Sequence, residues 1–486
     1  MVSSFLNHYI CSFFNMLDPK DWSELRKQGH HMLDDMFDYL QNIQSKPVWQ
    51  QAPSHVQASF QDDLSEHGQP LSQLHEQFMH DILPYSVGNT HPGFMGWVHG
   101  GGTPVGMLAE MLAAGLNANL GGRNQIPIDV EWQVIGWMRD LFGFPDGSSG
   151  ILTTGTSSAT IIALTTARHA IATTSKPLAV YASIEAHGCI TRALKIMGMD
   201  INMLRKIPTN DEYQMDIISL QQHIQNDQQH SIQPWLIIGT AGSVNTGSID
   251  DLSALAEIAK KVGAWLHIDG ALGALAMLSA SIAPRLQGIQ HADSLAMDFH
   301  KWGQVPYDAG LALIRDGENH RQCFSTGDTY LQRESKGLAA HSPWPCDYGM
   351  DLSRGFRALK IWFTFQHFGK KRLGDMIEHS CELAQYLTTH IQKTDNLELM
   401  APVSLNIVCF RYIGDGSQQA QAYDAINRAM ICHIHTSGLA APSLTYLNHR
   451  AVIRAAIVNH RTQIKDIGKL LAAVQQAARV CDQIPH

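Results

Sequence analysis

Short apolar runs alternate with stretches of helical spacing in the middle of the chain, and this alternation constrains the fold most strongly. Helical stretches follow the first three of four apolar runs, which cover 151–153, 178–181, 235–238 and 264–268. Strands that alternate with helices form a mainly parallel sheet with helices on both faces. Side chains that follow each strand then meet at one edge of the sheet, where α/β proteins bind ligands.

The rest of the chain predicts a helical start and a small final domain. The pair Asp18 and Pro19 is typical of a helix start, and apolar residues repeat at helical spacing from Trp22 to Ile43. Beyond a hinge at 369–371, three helices and two strands predict an α+β domain. We therefore predict three regions, which are an N-terminal helical segment over 1–90, a large domain over 91–370 and a small domain over 371–486.

Composition excludes several classes of protein. A chain of 486 residues with a net charge of −9 and no long basic run does not favour nucleic acid or an anionic membrane surface. The eight cysteines form no CxxC pair, which favours free thiols in a reducing cytoplasm. The pairs His30–His31 and His433–His435 lack a matching second cluster, so we predict no metal site. Residues 1–16 lack the features of a signal peptide and predict an arm on a partner subunit or a translational extension.

One lysine lies where a surface lysine is not expected. Lys301 follows the apolar run 292–296, and the turn 306–310 then leads to a second apolar run at 311–314. A lysine in a largely desolvated connection loses part of its preference for the charged form and can form a Schiff base with a carbonyl cofactor. The alternative is a lysine at a helix start whose ammonium group reaches water.

Small hydroxyl residues follow the first strand of the predicted sheet. Residues 154–158 open a helix, and backbone N–H groups at a helix start favour a phosphate group. The alternative is ordinary helix capping by Ser or Thr. A second small polar turn, residues 240–247, follows the third strand.

A histidine and an acid follow two other strands. His187 could stack on a flat ring that lies over the sheet, although a loop histidine bonded to the backbone explains it equally well. Asp269 directly follows a buried strand, so its carboxylate needs a partner such as a protonated ring nitrogen, a salt bridge or a helix cap. Together with Lys301 and the turn at 154–158, these residues provide the contacts that pyridoxal phosphate needs.

Several stretches carry a resemblance to a known family. They are residues 91–94, 150–155, 186–187, 267–271 and 298–302, and residues 305–310 are similar to bacterial members. On these motifs the chain resembles the group II pyridoxal-phosphate-dependent amino-acid decarboxylases, which include the aromatic-amino-acid, glutamate and histidine decarboxylases. The resemblance implies fold type I, an aspartate-aminotransferase-like α/β architecture with a mainly parallel seven-stranded sheet. It also implies a homodimer with sites at the interface.

The resemblance assigns roles to individual residues. It implies that Lys301 carries the internal aldimine, that Asp269 holds the pyridine nitrogen and that His187 stacks on the ring. The other implied cofactor contacts are Thr156, Ser157, Ser243, Ala271, Asp298 and His300. For the substrate, it implies that Arg454 meets the carboxylate and that Trp97 lines the cavity. The alternatives are a salt bridge for Arg454 and core packing for Trp97, whose aromatic ring favours an aromatic or apolar substrate.

The implied reaction converts an L-amino acid to its amine and carbon dioxide through an external aldimine and a quinonoid. The family's loop tyrosine falls near Trp344 and Pro345, which cannot donate a proton in its place. Tyr330 and Tyr348 flank that position, and His341 is close. Oxidative deamination, another carbon–carbon lyase reaction and an inactive homologue therefore remain alternatives.

Overall fold

The computed structural model describes residues 17–171, 175–327, 333–415 and 420–482, and the chain divides into two compact units at Val87. The predicted arm at 1–16 and Tyr330 lie outside the described residues. Among the residues described, no helix combines the length and the apolar character needed to cross a bilayer.

The first unit is helical. Its helices are α1 (Trp22–Gln41), α2 (Ser54–Ala58) and α3 (Leu71–Gln77). Asp21 caps α1 because its side chain accepts hydrogen bonds from the backbone N–H groups of Ser23 and Glu24. The predicted cap at Asp18 therefore lies three residues too early. Helix α3 changes to a π-helical turn after Gln77.

The second unit contains all the strands of the described chain. In chain order they are β1 (Phe94–Met95), β2 (Ser149–Thr153), β3 (Leu178–Ser183), β4 (Leu204–Ile207), β5 (Gln233–Thr240), β6 (Trp265–Asp269), β7 (Ser294–Asp298), β8 (Gly310–Ile314), β9 (Leu397–Leu399), β10 (Ile407–Tyr412), β11 (Ala441–Leu447) and β12 (Arg450–Ala456).

Helices cover these strands. They are α4 (Pro104–Leu116), α5 (Ile126–Leu141), α6 (Thr156–Ala170), α7 (Cys189–Ile196), α8 (Ile217–Gln229), α9 (Leu252–Val262), α10 (Gly317–Phe324), α11 (Arg357–Gln392), α12 (Ala420–Ser437) and α13 (Ile464–Cys481).

Seven strands form the larger sheet in the order β2-β8-β7-β6-β5-β3-β4. Only β8 runs antiparallel to its neighbours, and the side chains of the central strands β6 and β7 are buried almost throughout. Strands that are buried on both faces consist of nearly continuous apolar runs, which is why the sequence shows them clearly. The predicted seven-stranded, mainly parallel sheet is confirmed. Strand β4 was missed because it is an edge strand and carries two cations, Arg205 and Lys206.

A second sheet has the order β1-β11-β12-β10-β9 and its own apolar core. Its first strand, Phe94–Met95, pairs in parallel with β11. Helix α11 runs through the predicted hinge, with one break where Gly369 has φ 71° and ψ 163°. The proposed boundaries at 90 and 370 stay predictions.

Candidate active site

A cavity of about 430 Å³ lies at the carboxyl ends of β2, β5, β6 and β7. Most of the residues predicted from the sequence line it, namely Trp97, Thr156, Ser157, His187, Asp269, Ala271, Asp298, His300 and Lys301. Parallel strands bring these side chains together although the chain separates them by up to two hundred residues. The edge of the sheet is therefore the functional edge that the strand pattern predicted.

Lys301 lies in the turn after β7. Its Nζ is 2.8 Å from Asp298 Oδ2, and its side chain is 21% exposed. The turn packs tightly against the glycine-rich loop before α4, because a Cβ atom on Gly100 would lie 2.4 Å from the Lys301 carbonyl oxygen. Gln304 fixes the turn from the other side, where its side chain accepts from Gly101 N–H at 3.0 Å and donates to the Val458 carbonyl at 2.7 Å. The lysine is thus held in a rigid connection and opens into the cavity.

Asp298 links the lysine to the start of α6. Its Oδ1 accepts a hydrogen bond from the backbone N–H of Thr156 at 2.7 Å. Burial would raise the pKa of Asp298, but the charges of Lys301 and His300 and these hydrogen bonds hold it below its usual value. Asp298 is therefore a carboxylate that contacts both Lys301 and the start of α6.

Two hydroxyl groups beside the cavity have no hydrogen-bond partner within the described chain. They are Thr156 Oγ1, at the start of α6, and Thr240 Oγ1, at the end of β5, and both are buried. Buried hydroxyl groups are nearly always paired, so a missing pair needs an explanation. An anionic group seated between the start of α6 and the end of β5 would accept hydrogen bonds from both.

Asp269 ends β6 and is buried. Its Oδ1 accepts from Ala271 N–H at 3.1 Å, and its Oδ2 lies 4.0 Å from Cys189 Sγ. Burial raises the pKa of Asp269, although the charge of Lys301 opposes this. A cationic N–H group against Oδ2 would remove the cost of burying this charge.

His187 lies in the loop before α7 and lines the same cavity. Its Nδ1 accepts from the backbone N–H of Cys189 at 3.2 Å, which places the ring hydrogen of the neutral form on Nε2. The imidazole is fixed at one nitrogen and exposed at the rest of the ring. It can therefore pack against a ring bound above Asp269.

An aromatic wall closes one side of the cavity. Trp97, His99 and Tyr307 form it, with ring centroids 6.2 Å apart for Trp97 and His99 and 5.6 Å apart for His99 and Tyr307. Burial, and to a lesser degree the charge of Lys301, lowers the pKa of His99, so that the ring is neutral near pH 7. Tyr307 also packs on His300 at 4.2 Å. The wall is uncharged, and the rings of His99 and Tyr307 meet edge to face at 71°. His99 Nδ1 has no partner among the described residues.

Two predicted residues do not line the cavity. Ser243 Oγ is buried in its own turn, where it bonds Thr246 Oγ1 and Ser248 Oγ, each at 2.9 Å. Arg454 lies behind the aromatic wall, and its Nη2 donates to the carbonyl oxygen of Trp97 at 2.7 Å. Trp97 itself has φ 46°, a conformation that this bond helps to hold.

The loop residues near the expected proton donor lie elsewhere. Trp344 is buried, with the guanidinium groups of Arg333 and Arg123 at 3.7 Å and 4.8 Å from its ring. His341 and Tyr348 line a different cavity of about 540 Å³. None of these three side chains reaches Lys301 in this structure.

Sequence reasoning missed His99, Tyr307 and Thr240 as residues of the cavity. Thr240 carried a usable signal, because it is the first residue of the small polar turn predicted at 240–247. His99 and Tyr307 come from loops with no periodic pattern, and only their proximity to Trp97 and Lys301 in the sequence pointed to them.

The residues present fit pyridoxal phosphate. The fit rests on the Lys301 amine, the buried Asp269 carboxylate in the same cavity as His187, and the unpaired hydroxyl groups of Thr156 and Thr240. These groups match, in order, an aldehyde, a pyridine nitrogen and a phosphate. The same cofactor was predicted from the sequence.

Comparison with known proteins agrees with a pyridoxal-phosphate site. Residues 53–413 match the profile of the pyridoxal-dependent decarboxylase conserved domain. Aromatic-L-amino-acid decarboxylase of Bacillus atrophaeus is 31% identical over 461 residues, which cover 94% of this chain and 95% of that protein. Phenylacetaldehyde synthase of Arabidopsis thaliana is 26% identical, with coverage of 95% and 97%.

A crystal structure of Oryza sativa TDC with PLP and tryptamine superimposes with a TM-score of 0.88 at 21% identity, over 96% of this chain and 99% of that one. This likeness confirms the predicted fold. The profile match covers most of the chain, and the chain therefore belongs to the pyridoxal-dependent decarboxylase family and is a pyridoxal-phosphate-dependent carboxy-lyase.

Proposed function

We propose that this enzyme decarboxylates an aromatic L-amino acid to the corresponding amine. The observation that carries the proposal is the wall of Trp97, His99 and Tyr307 beside Lys301. Flat uncharged rings favour an aromatic side chain and offer no cation to an acidic one. The similarity to an aromatic-L-amino-acid decarboxylase supports the same class of substrate.

When bound, pyridoxal phosphate supplies an aldehyde carbon for imine linkage to an amine and a ring that accepts the electron pair left by a departing carboxylate. We assign Lys301 as the residue that holds the cofactor and afterwards moves a proton as a free amine. Asp269 keeps the cofactor's ring nitrogen protonated, because its buried carboxylate needs a cationic partner. His187 would pack on a face of the cofactor ring.

The start of α6 holds the phosphate in this proposal. Thr156 and Ser157 provide hydroxyl groups, Ser157 also provides its backbone N–H group in the first helical turn, and Thr240 adds a third hydroxyl from β5. Asp298 fixes this turn relative to Lys301 through its two oxygens. Ser243 supports the turn after β5 through its bonds to Thr246 and Ser248, and its predicted contact with the cofactor stays a prediction.

Arg454 acts on the substrate site through Trp97 in this proposal. Its guanidinium donates to the Trp97 carbonyl, and its Nε has no partner in the described chain. The predicted direct contact between Arg454 and the substrate carboxylate stays a prediction. It requires Nε to reach beyond the Trp97 backbone.

We also propose a cytoplasmic homodimer. Support for a dimer comes from α4, which leaves Met111, Leu112 and Leu116 exposed at 52%, 49% and 59% next to the glycine-rich loop of the site. Light scattering of the wild type and of Leu112→Glu tests the dimer, and an unchanged dimer in the variant would contradict this surface.

Support for a reducing compartment comes from the seven cysteines of the described chain, none of which is disulfide-bonded.

The substrate experiment uses the protein loaded with pyridoxal phosphate. L-Tryptophan, L-tyrosine, L-phenylalanine and L-glutamate are supplied separately, and carbon dioxide, amine and aldehyde are measured by mass spectrometry. We expect amine from the aromatic substrates and little turnover of glutamate. Preferred turnover of glutamate would overturn the aromatic assignment. Aldehyde with hydrogen peroxide in place of amine would instead establish the oxidative reaction.

The aromatic wall has its own control. Trp97→Ala is expected to lower kcat/KM for aromatic substrates, whereas Trp22→Ala, at an exposed tryptophan of α1, is expected to leave it unchanged. Equal effects of the two substitutions would show that the wall does not select the substrate.

A further inference from the structure

Two helices of the first unit bring three metal-ligating side chains together. His31 and Asp35 lie on α1, and His75 lies on α3. One ligand atom from each residue lies within 4.8 Å of the other two. The sequence predicted no metal site because His30–His31 lacked a second cluster, and folding supplies that cluster from a residue more than forty positions away.

The three side chains converge on one point. Asp35 Oδ2 lies 3.6 Å from His31 Nε2 and 3.3 Å from His75 Nε2. Both distances exceed the roughly 2.7–3.2 Å of a hydrogen bond. They lie within about 0.1 Å of the separation of about 3.3–3.5 Å between neighbouring ligands of a tetrahedral zinc ion bound at about 2.0–2.1 Å. Both imidazoles therefore direct Nε2 towards the Asp35 carboxylate, at distances suited to three ligands of one metal ion.

The local structure favours this arrangement. Positions 31 and 35 are four residues apart, so they lie on one face of α1. The rings of His31 and His75 are 5.4 Å apart and nearly perpendicular, at 87°, so they approach without stacking. His75 is buried, whereas the His31 side chain is 71% exposed. The site is thus fixed on one side and open to solvent on the other, where a water molecule would complete the four-fold coordination of a bound ion.

The ligand set selects the class of metal. Two imidazole nitrogens and one carboxylate oxygen suit zinc and similar transition ions, whereas magnesium and calcium prefer sites made of oxygen ligands. We propose that His31, Asp35 and His75 bind a zinc ion that joins α1 to α3.

The first unit would gain stability from such a link. None of the twenty residues of α1 is fully buried, and α3 has only seven residues. Helices of this kind obtain little free energy from a core, and metal binding by a folded site contributes directly to the free energy of folding. Zinc would therefore raise the melting temperature of this unit.

The test measures metal binding by the cofactor-loaded protein, so it does not depend on the substrate. Metals are removed with a chelator, and zinc is then titrated by calorimetry into the wild type, His31→Ala and His30→Ala. His30 is the matched control because it is exposed and adjacent on the same helix. His31 is the principal variant because its exposed ring contributes little to packing.

We expect one zinc equivalent with the wild type and with His30→Ala, accompanied by a higher melting temperature. Loss of even an outer-shell partner weakens metal binding by about 10–100-fold, so loss of a ligand in His31→Ala should weaken it by at least about 100-fold. Asp35→Asn should behave in the same way. Cobalt should give visible absorbance of tetrahedral type in the wild type and not in His31→Ala.

Two results would overturn the proposal. One is equal zinc stoichiometry and affinity in His31→Ala, Asp35→Asn and His30→Ala, which would place any bound zinc at other histidines. The other is the absence of zinc binding by the folded wild type, which would leave Asp35 and His75 as a simple ion pair.

Discussion

Two pairs of opposite charge in the second unit differ in how completely the protein satisfies their hydrogen-bonding groups. Arg354 binds both oxygens of Glu131 and also donates to the carbonyl oxygens of Leu120 and Leu152. Lys301 binds Asp298, but the neighbouring hydroxyl groups of Thr156 and Thr240 have no partner in the described chain. Protein groups satisfy the hydrogen bonds of the first pair. The second pair lies beside a cavity whose hydroxyl groups still lack a hydrogen-bond partner.

This difference distinguishes a charged pair that stabilises the fold from one that belongs to a binding site. A saturated buried pair contributes to a unique fold, and removal of one partner leaves a charge without compensation. Unpaired polar groups around a cavity destabilise the free protein and are retained where a ligand completes them. Changes at Lys301 should therefore affect activity, whereas changes at Arg354 should affect stability.

The largest effect is expected at Lys301. Lys301→Ala removes both the covalent link to the cofactor and a group that transfers protons, and proton transfer alone contributes about 10²–10⁴-fold to a rate. We expect kcat to fall by at least this factor and the visible absorbance of the bound cofactor to be lost. Lys195→Ala, at an exposed helical position, is the control. Retained absorbance and activity in Lys301→Ala would show that another amine holds the cofactor.

The next effect is expected at Arg354. Arg354→Met leaves the Glu131 carboxylate buried and unpaired, which costs about 3–5 kcal/mol in the free energy of unfolding. Denaturant unfolding of the wild type and the variant measures this loss. The double variant Arg354→Met with Glu131→Leu should recover much of it, because two apolar side chains leave no buried charge. A double variant no more stable than the single one would show that the backbone contacts of Arg354 are what matters.

The two pairs also show what the sequence can predict. Lys301, Asp269 and Thr156 follow strands with strong apolar patterns, so their meeting at one edge follows from the parallel sheet. Glu131 and Arg354 lie 223 positions apart on two helical or loop segments, and no periodicity joins them.

The same limit explains two other outcomes. Ser243 was placed correctly in a turn, but the direction of its hydroxyl depends on Thr246 and Ser248, which the pattern of strands does not specify. His31 and His75 come together only through the packing of α1 on α3, so the sequence contained the ligands without their arrangement.

A second comparison concerns two buried histidines, His267 outside the site and His300 within it. Burial lowers the pKa of His267 to about 3, and its Nδ1 shares a hydrogen bond with Ser294 Oγ at 2.8 Å. In the unfolded chain the His267 imidazole is protonated below its ordinary pKa of 6.5, whereas in the folded protein it is protonated only near pH 3. The free energy of unfolding therefore suffers no penalty from His267 above pH 6.5, and it decreases as the pH falls from 6.5 towards 3. The cost is about 2 kcal/mol at pH 5 for this histidine alone.

His267→Phe tests this assignment. The free energy of unfolding is measured at pH 7.5 and pH 5 in both proteins, and the loss between the two values should be smaller in the variant. His300→Phe is the comparison within the site, because burial lowers the pKa of His300 while Asp298 opposes the shift. Its effect on the pH dependence should therefore be weaker. The same loss in the wild type and in His267→Phe would assign the acid sensitivity to other groups.

The smallest effect is expected for Thr156→Val. The substitution should stabilise the cofactor-free protein but weaken cofactor binding. Thr156→Val removes a buried hydroxyl that has no protein partner, so the cofactor-free protein should gain about 1 kcal/mol. In the loaded protein the same hydroxyl donates to the phosphate, and its loss should weaken cofactor binding by about tenfold, which is about 1.4 kcal/mol. Thr166→Val, in the same helix, removes a hydroxyl already bonded to the Ile162 carbonyl at 2.9 Å and should not change cofactor affinity. A Thr156 variant that is less stable without cofactor, or binds it unchanged, would show that this hydroxyl is not reserved for a ligand, and the contrast with the saturated Arg354 pair would then be lost.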